Sequence, residues 1–296
     1  MKRLLVHLGY RESPRGFEHK TRTVIFLGDF IDRGDQLKEH KELLSIVIKM
    51  VRSGNAHAVM GNHEFNALSY HTNVNGQPLR AHSAKNRKQH KAFLQEFEND
   101  PQAKSEVLDF FYTLPLWLEF NEFRVVHACW DQSAVDYLTE TNDGAEMTTG
   151  LLKKANDVST KEYKCVETLL KGYEIALPNK ISFSDKDGHL RHAVRSQWWK
   201  PDAQTLSEVA LPPDLELGAA GELPIPAGIP FYPREARPCF IGHYWLKGTP
   251  SPLSGNVACL DYSVAKGGKL VAFRWDKDLK LTATRFEYAD KVKDSS

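Results

Sequence analysis

The chain has 296 residues, 41% of them hydrophobic, with 39 basic and 38 acidic side chains and a formal net charge of +1. That is enough apolar material for one full core, so a single domain over 1–296 is expected. The balanced charge supplies no field that would draw the chain to nucleic acid or to an anionic membrane, so neither is expected as a partner.

Cys129, Cys165, Cys239 and Cys259 are scattered without C-x-x-C spacing, which speaks against a zinc ribbon and against a disulfide scaffold. No apolar run approaches the roughly 20 residues of a membrane helix, and Met1 to Gly9 is too short for a signal peptide. A reduced, cytoplasmic setting is the expectation.

In chain order, Leu4, Leu5 and Leu8 fall at helical spacing with Gly9 at the C-cap position, and no N-cap precedes them. Residues 10 to 21 are polar and read as a loop into a strand from Thr23 to Leu27. Leu37, Leu43, Leu44, Val47, Ile48 and Val51 mark an amphipathic helix that stops at Gly54, and a strand from His57 to Met60 follows. Strand, helix, strand is a βαβ unit. A helix is expected from Glu64 to Tyr70, a surface excursion over 72–90, and helices from Lys88 to Glu98 and Ala103 to Tyr112, which make 72–113 a helical insertion.

Leu116 to Phe120 and Phe123 to Val126 read as a hairpin, with helices after it at Ser133 to Leu138 and Lys161 to Tyr173. Residues 201–238 hold Pro212, Pro213, Pro224, Pro226, Pro230, Pro233 and Pro238, a density that predicts a long ordered loop or lid. Four strands follow, from Cys239 to Gly242, Asn256 to Asp261, Lys269 to Trp275 and Leu281 to Tyr288, and suggest a mostly antiparallel closing sheet.

The chemistry concentrates after the strands. Val24-Ile25-Phe26-Leu27 runs into Gly28-Asp29-Phe30-Ile31-Asp32-Arg33-Gly34, and Ala58-Val59-Met60 into Gly61-Asn62-His63-Glu64. Strand ends at one sheet edge are where α/β proteins place their sites. Asp29, Asn62, His127 and His243 each follow a strand-like run and offer the carboxylate, amide and imidazole donors that hold divalent metals. Two such ions clamp the attacking and leaving oxygens of a phosphoester. Arg33 supplies a bidentate fork for phosphate, and His63 could protonate the leaving oxygen with Asp32 fixing its imidazole.

These blocks, together with Val125-Val126-His127 and Gly242-His243, resemble four successive signatures of the calcineurin-like metallophosphoesterases, in the branch of PPP-type serine/threonine phosphatases and symmetrical diadenosine tetraphosphatases. The resemblance implies an α/β sandwich of two mixed sheets flanked by helices. It also implies hydrolysis of phosphate monoesters or phosphoanhydrides by a metal-bound hydroxide. By resemblance Asp29 bridges the metals, and Asn62, His127 and His243 complete the ligand set of the second metal. Arg33 binds phosphate, and His63 with Asp32 forms the general-acid pair. The implied ions are manganese, iron or zinc, two in the family and one or two here, and the implied partner is a phosphoprotein, nucleotide or small phosphate ester.

The family's Asp-x-His-Gly block has no counterpart before Asp29. The sequence reading therefore expects a truncated chain lacking its first core strand, and keeps as its alternative a relative that binds metal or phosphate without turnover. His7, among helix leucines, is no substitute ligand. Cys129 reads as a buried strand-end residue. Arg195, before Ser196-Gln197-Trp198-Trp199, is a second candidate phosphate clamp, or a surface arginine packed on tryptophan. Trp130, Trp198, Trp199, Tyr244 and Trp245 either stack on a nucleoside, which favours a dinucleoside polyphosphate, or pack in the core. His71, Arg80, His82, Lys85, Arg87, Lys88 and His90 either help hold an anionic substrate or form a solvated face.

Overall fold

A computed structural model of the chain describes residues 1–32, 39–142, 144–178, 181–184, 190–276 and 280–290. Helix α1 (Lys2–His7) ends as the leucine pattern predicts, with Gly9 at a φ of 91°. The expected loop beyond it is instead a small antiparallel hairpin, Arg11–Ser13 on Gly16–Glu18. Gly16 makes the turn possible with a φ of 94°, and Phe17 is buried beside Met50, which gives the hairpin an anchor that its polar composition conceals.

The βαβ unit is present. Strand β1 (Val24–Phe26), helix α2 (His40–Arg52) and strand β2 (Ala56–Ala58) follow one another, and β1 runs parallel to β2 with Ile25 opposite His57. Leu37 and Arg33 lie outside the described residues. Helix α3 (Asn62–His71) starts earlier than predicted because Gly61 is its N-cap and the Glu64 carboxylate closes a capping box on it.

In the insertion, a short hairpin pairs Asn73–Val74 with Gln77–Pro78. The helix expected from Lys88 to Glu98 is observed as α5 (Lys91–Glu96), and a separate helix, α4 (Ala84–Gln89), lies before it in the expected surface excursion, with His90 as the joint. Helix α6 (Pro101–Tyr112) is capped by Asp100, whose carboxylate accepts the Ala103 N–H.

Strands β3 (Trp117–Glu119) and β4 (Arg124–Val126) form the predicted hairpin. Helices α7 (Gln132–Asn142), α8 (Thr149–Lys154) and α9 (Lys161–Lys171) follow; α8 was not expected, although Thr148 caps it by accepting the Leu151 N–H. An antiparallel sheet then orders β7 (Ala210–Leu211), β6 (Ala193–Ser196) and β5 (Glu174–Ala176). The proline-rich segment is less bare than its composition suggests. It contains a four-residue helix at Leu206–Val209, and Leu206, Val209, Leu217 and Ala220 share a small core with Ile175 and Val194.

Strand β8 (Cys239–Ile241) pairs in parallel with both β4 and β9 (Val257–Cys259), giving a four-stranded sheet ordered β9-β8-β4-β3. The expectation of a mostly antiparallel closing sheet fails for these two strands. Cys239-Phe240-Ile241 and Val257-Ala258-Cys259 are buried on both faces, as parallel strands are. It holds for β10 (Asp261–Tyr262), β11 (Lys269–Phe273) and β12 (Phe286–Asp290).

The layers follow from strand alternation. Val126, Ile241, Val257 and Cys259 face the helices in the large core, while Val125, Phe240 and Ala258 face Tyr262, Val271 and Phe286 of the antiparallel sheet. The result is the mixed α/β layering that the resemblance implied. All four cysteines are buried thiols. Among the described residues, no helix is long and apolar enough to cross a membrane.

Candidate metal centre

Two parallel pairs, β1 with β2 and β4 with β8, lead into Asp29, Asn62, His127 and His243, each within four residues of its strand's C-terminal end. The first two loops touch backbone to backbone. A Cβ on Gly28 would lie 2.4 Å from the Gly61 nitrogen, and one on Gly61 would lie 2.5 Å from the Asp29 nitrogen, so both positions need glycine.

Glu64 holds this junction together. Its carboxylate accepts the N–H groups of Asp29 at 2.7 Å, Phe30 at 2.7 Å and Gly61 at 2.9 Å, and the residue is fully buried. Burial pushes its pKa up, and those backbone donors together with His127 pull against that shift. Nothing in the sequence motif itself assigns Glu64 this role. The Gly-x-x-Glu capping spacing was the signal that could have found it.

Asp29 stands at a φ of 59°, which turns its carboxylate inward. Its Oδ1 accepts the His63 N–H at 3.2 Å, and its Oδ2 is 3.3 Å from His127 Nε2. Asn62 Oδ1 lies 3.2 Å from His127 Nε2 and 2.9 Å from His243 Nδ1. Ligand atoms of Asp29, His127 and His243 all lie within 4.8 Å of one another, and the two imidazoles are buried. The four residues expected as metal ligands are therefore in one cluster.

The donor set and its geometry fit a divalent cation. The Leu27 carbonyl can only accept, so His127 Nδ1 donates to it at 2.5 Å and fixes the tautomer. In the neutral ring Nε2 then turns its lone pair toward Asp29 and Asn62 oxygens. With the ring neutral, lone pairs would face lone pairs there, an arrangement that a divalent cation among these carboxylate, amide and imidazole donors would relieve.

The other predicted residues are placed as follows. His63 is the second residue of α3 and half-buried. Asp32 is engaged elsewhere than the sequence reading supposed: its Oδ2 accepts from His90 Nδ1 and its Oδ1 from the Phe93 N–H at 3.0 Å. The Asp32 N–H donates to His40 Nε2 at 3.1 Å, and His40 Nδ1 meets Glu96 at 2.8 Å. The predicted partner was His63; the observed one is His90, delivered by the break between α4 and α5. Arg195 is half-buried on β6 between Glu174 and Leu211, and its charge acts on Tyr244, the residue after His243.

The basic cluster of the insertion divides. Lys85, Arg87 and Lys88 are exposed. His90 is buried, stacks on Phe93, and meets His71 at 3.1 Å, whose pKa is lowered to about 4 chiefly by desolvation. His82 stacks on Tyr70. Of the five aromatics, Trp130, Trp198, Trp199 and Tyr244 are buried, with Trp198 donating to the Tyr244 hydroxyl at 2.9 Å; Trp245 alone is half-exposed.

Comparison with known proteins bears on this arrangement. No curated protein sequence matches the chain. Similar solved structures include a putative diadenosine tetraphosphatase, at 14% identity over 98% of this chain and 86% of that one, with a TM-score of 0.41. They also include a Saccharomyces cerevisiae protein serine/threonine phosphatase with similarity to human phosphatase PP5, at 15% identity over 93% and 73%, with a TM-score of 0.46. A cold-active protein-tyrosine phosphatase of a psychrophile Shewanella species is similar at 15% identity over 96% and 74%, with a TM-score of 0.41. A family model described as calcineurin-like phosphoesterase matches residues 5–177, which include Asp29, Asn62 and His127. The chain belongs to the calcineurin-like phosphoesterase family, whose members are hydrolases.

Proposed function

We propose that the chain is a metal-dependent hydrolase of phosphate monoesters or phosphoanhydrides, with Asp29, Asn62, His127 and His243 holding a divalent ion. The observation that carries this reading is the convergence of those four side chains on one cluster, three of them within the stretch that the family model matches. When bound, such an ion supplies charge against the phosphoryl oxygens and makes water more acidic at neutral pH.

The chain's own residues do the rest. The Leu27 carbonyl orients His127, and Glu64 holds Asp29 and Gly61 in register. His63 is the proposed proton donor to the leaving oxygen, and Arg33 and Arg195 are the proposed phosphate clamps. Asp32 contributes its charge beside this set from the fixed position that His90 and Phe93 give it. Phosphoproteins, nucleotides and small esters all remain within the proposed substrate class, because one centre serves many loops. The burial of four of the five aromatics takes support from a nucleoside-stacking, dinucleoside polyphosphate reading.

A second reading is favoured by the ligand count. Among the described residues, the cluster gathers one ion's worth of His and Asp ligands, as expected of a relative that binds metal or phosphate without turnover. Elemental analysis and p-nitrophenyl phosphate turnover with added manganese, on the wild type and Asp29→Asn, separate the two. Hydrolysis should occur and fall at least about 100-fold in the variant, at or beyond the top of the range for losing a supporting residue of a metal site. Bound metal with no turnover in the wild type would establish the second reading instead.

A further inference from the structure

The backbone that presents His243 is strained. The Tyr244 N–H donates to the Gly242 carbonyl at 2.8 Å, which closes a three-residue turn with His243 at its centre and at a φ of 67°. Turns of this form are rare, and a non-glycine residue stays in that region only where its surroundings over-determine it. On one side the turn is fastened by the Gly242 N–H, which donates to the His127 carbonyl at 2.9 Å. On the other side stands Tyr244.

Tyr244 is gripped at three points. Its hydroxyl accepts the Trp198 indole N–H at 2.9 Å, in a buried bond between residues 46 apart in sequence. The Trp199 ring meets it at 5.0 Å between centres and 83° between planes. Gly172, which ends α9 at a φ of 88°, leaves the space that the hydroxyl fills, since a Cβ there would lie 2.7 Å from the hydroxyl oxygen. Trp198 is fixed in its turn, for it is fully buried and its carbonyl accepts the Tyr232 N–H at 3.0 Å.

The grip reaches the candidate ligand directly. The rings of Tyr244 and His243 lie edge to face, 5.6 Å between centres and 86° between planes, and His243 meets His127 at 5.3 Å. Phenylalanine would serve that packing as well as tyrosine does. What the hydroxyl and its indole partner add is direction, because a hydrogen bond weakens steeply when its donor and acceptor swing out of line.

We infer that Tyr244 is a positioning residue for His243, and that the Trp198–Tyr244 hydrogen bond holds the strained turn in which His243 Nδ1 meets Asn62 Oδ1 at 2.9 Å. The buried aromatics next to the cluster thereby act on it from behind. The consequence for metal affinity rests on the metal-dependent reading of the cluster. The consequence for the His243 ring does not.

NMR of the full chain carrying nitrogen-15 histidine, with the His243 signals assigned from His243→Asn, tests the first consequence without any metal. In the metal-free chain those signals should shift or broaden in Tyr244→Phe and in Trp198→Phe. Cobalt(II), titrated by its visible absorption, should bind each single variant about tenfold more weakly, the low end of what losing a group that orients a metal ligand costs. The double variant should bind it no more weakly than Trp198→Phe alone, because one bond is lost in all three. Tyr262→Phe removes another buried hydroxyl, one that accepts the Ser251 N–H at 3.0 Å in the antiparallel sheet, and should leave both readouts as they are. Wild-type His243 signals in Tyr244→Phe, or losses of cobalt affinity that add in the double variant, would overturn the inference. A wild type that binds no cobalt would sink the metal reading alone, since the signals of the metal-free chain still decide the part played by Tyr244.

Discussion

His90 shows how much one side chain can fix. Its ring and the Asp32 carboxylate form a buried pair, only 7% and 4% exposed. Removing the ring leaves the Asp32 carboxylate with the Phe93 N–H alone on this side, so His90→Ala should lower unfolding free energy by about 3 kcal/mol in urea titrations. A loss below about 1 kcal/mol would mean the pair is solvated in practice. Its neighbour His71 makes a pH prediction. With its pKa lowered from 6.5 to about 4 in the folded chain, the unfolded state binds more protons between those values. Stability should then be fully present above pH 6.5 and fall as pH drops toward 4, by about 1–2 kcal/mol after allowance for solvent at a half-buried ring. His71→Phe, which cannot titrate, should flatten that part of the thermal-unfolding profile against pH.

At the scale of elements, the contact between the β1 and β2 loops matters most. Gly61→Ala would place a methyl group 2.5 Å from the Asp29 nitrogen. The loops must part to admit it, at a cost of about 2–3 kcal/mol, and manganese binding measured by calorimetry should weaken because Asp29 moves from Asn62. Unchanged metal affinity would show that the loops separate without disturbing the ligands. These same loops were the most legible part of the sequence, since an apolar strand ending in Gly-Asp and another ending in Gly-Asn-His-Glu flank a strongly periodic helix. The break at His90 was not legible. Residues 84–96 favour helix throughout, and what interrupts them is a carboxylate far away in sequence. The hairpin at Arg11–Glu18 was missed for a similar reason, because the burial of Phe17 depends on α2.

For the whole molecule, the sequence pattern yielded β1, β2, β4, β8, β9 and the helix between β1 and β2, but neither α8, the β5–β6–β7 sheet nor the pairing of β4 with β8 and β9, which depends on which long-range partners meet. It is that pairing that sets His127 beside His243, with the Gly242 N–H donating to the His127 carbonyl at 2.9 Å. The small core of Ile175, Val194, Leu206 and Val209 stands apart from the large one. Amide hydrogen exchange should therefore report the β5–β6–β7 unit opening at lower free energy than β4 and β8; equal protection would mean that the two cores unfold as one.

The same closure has a temporal side. Asn62 is separated from His127 by 65 residues and from His243 by 181, yet a single amide oxygen meets both rings. A chain growing from its N-terminus has Asp29, Asn62 and His127 long before β8 emerges, and in that interval it holds an incomplete set of ligands. Contacts of such separation form late, after their loops have closed. On the proposed ligand set, acquisition of an ion would belong to the end of folding, and a nascent chain halted before β8 should bind manganese more weakly than the full chain because it lacks His243.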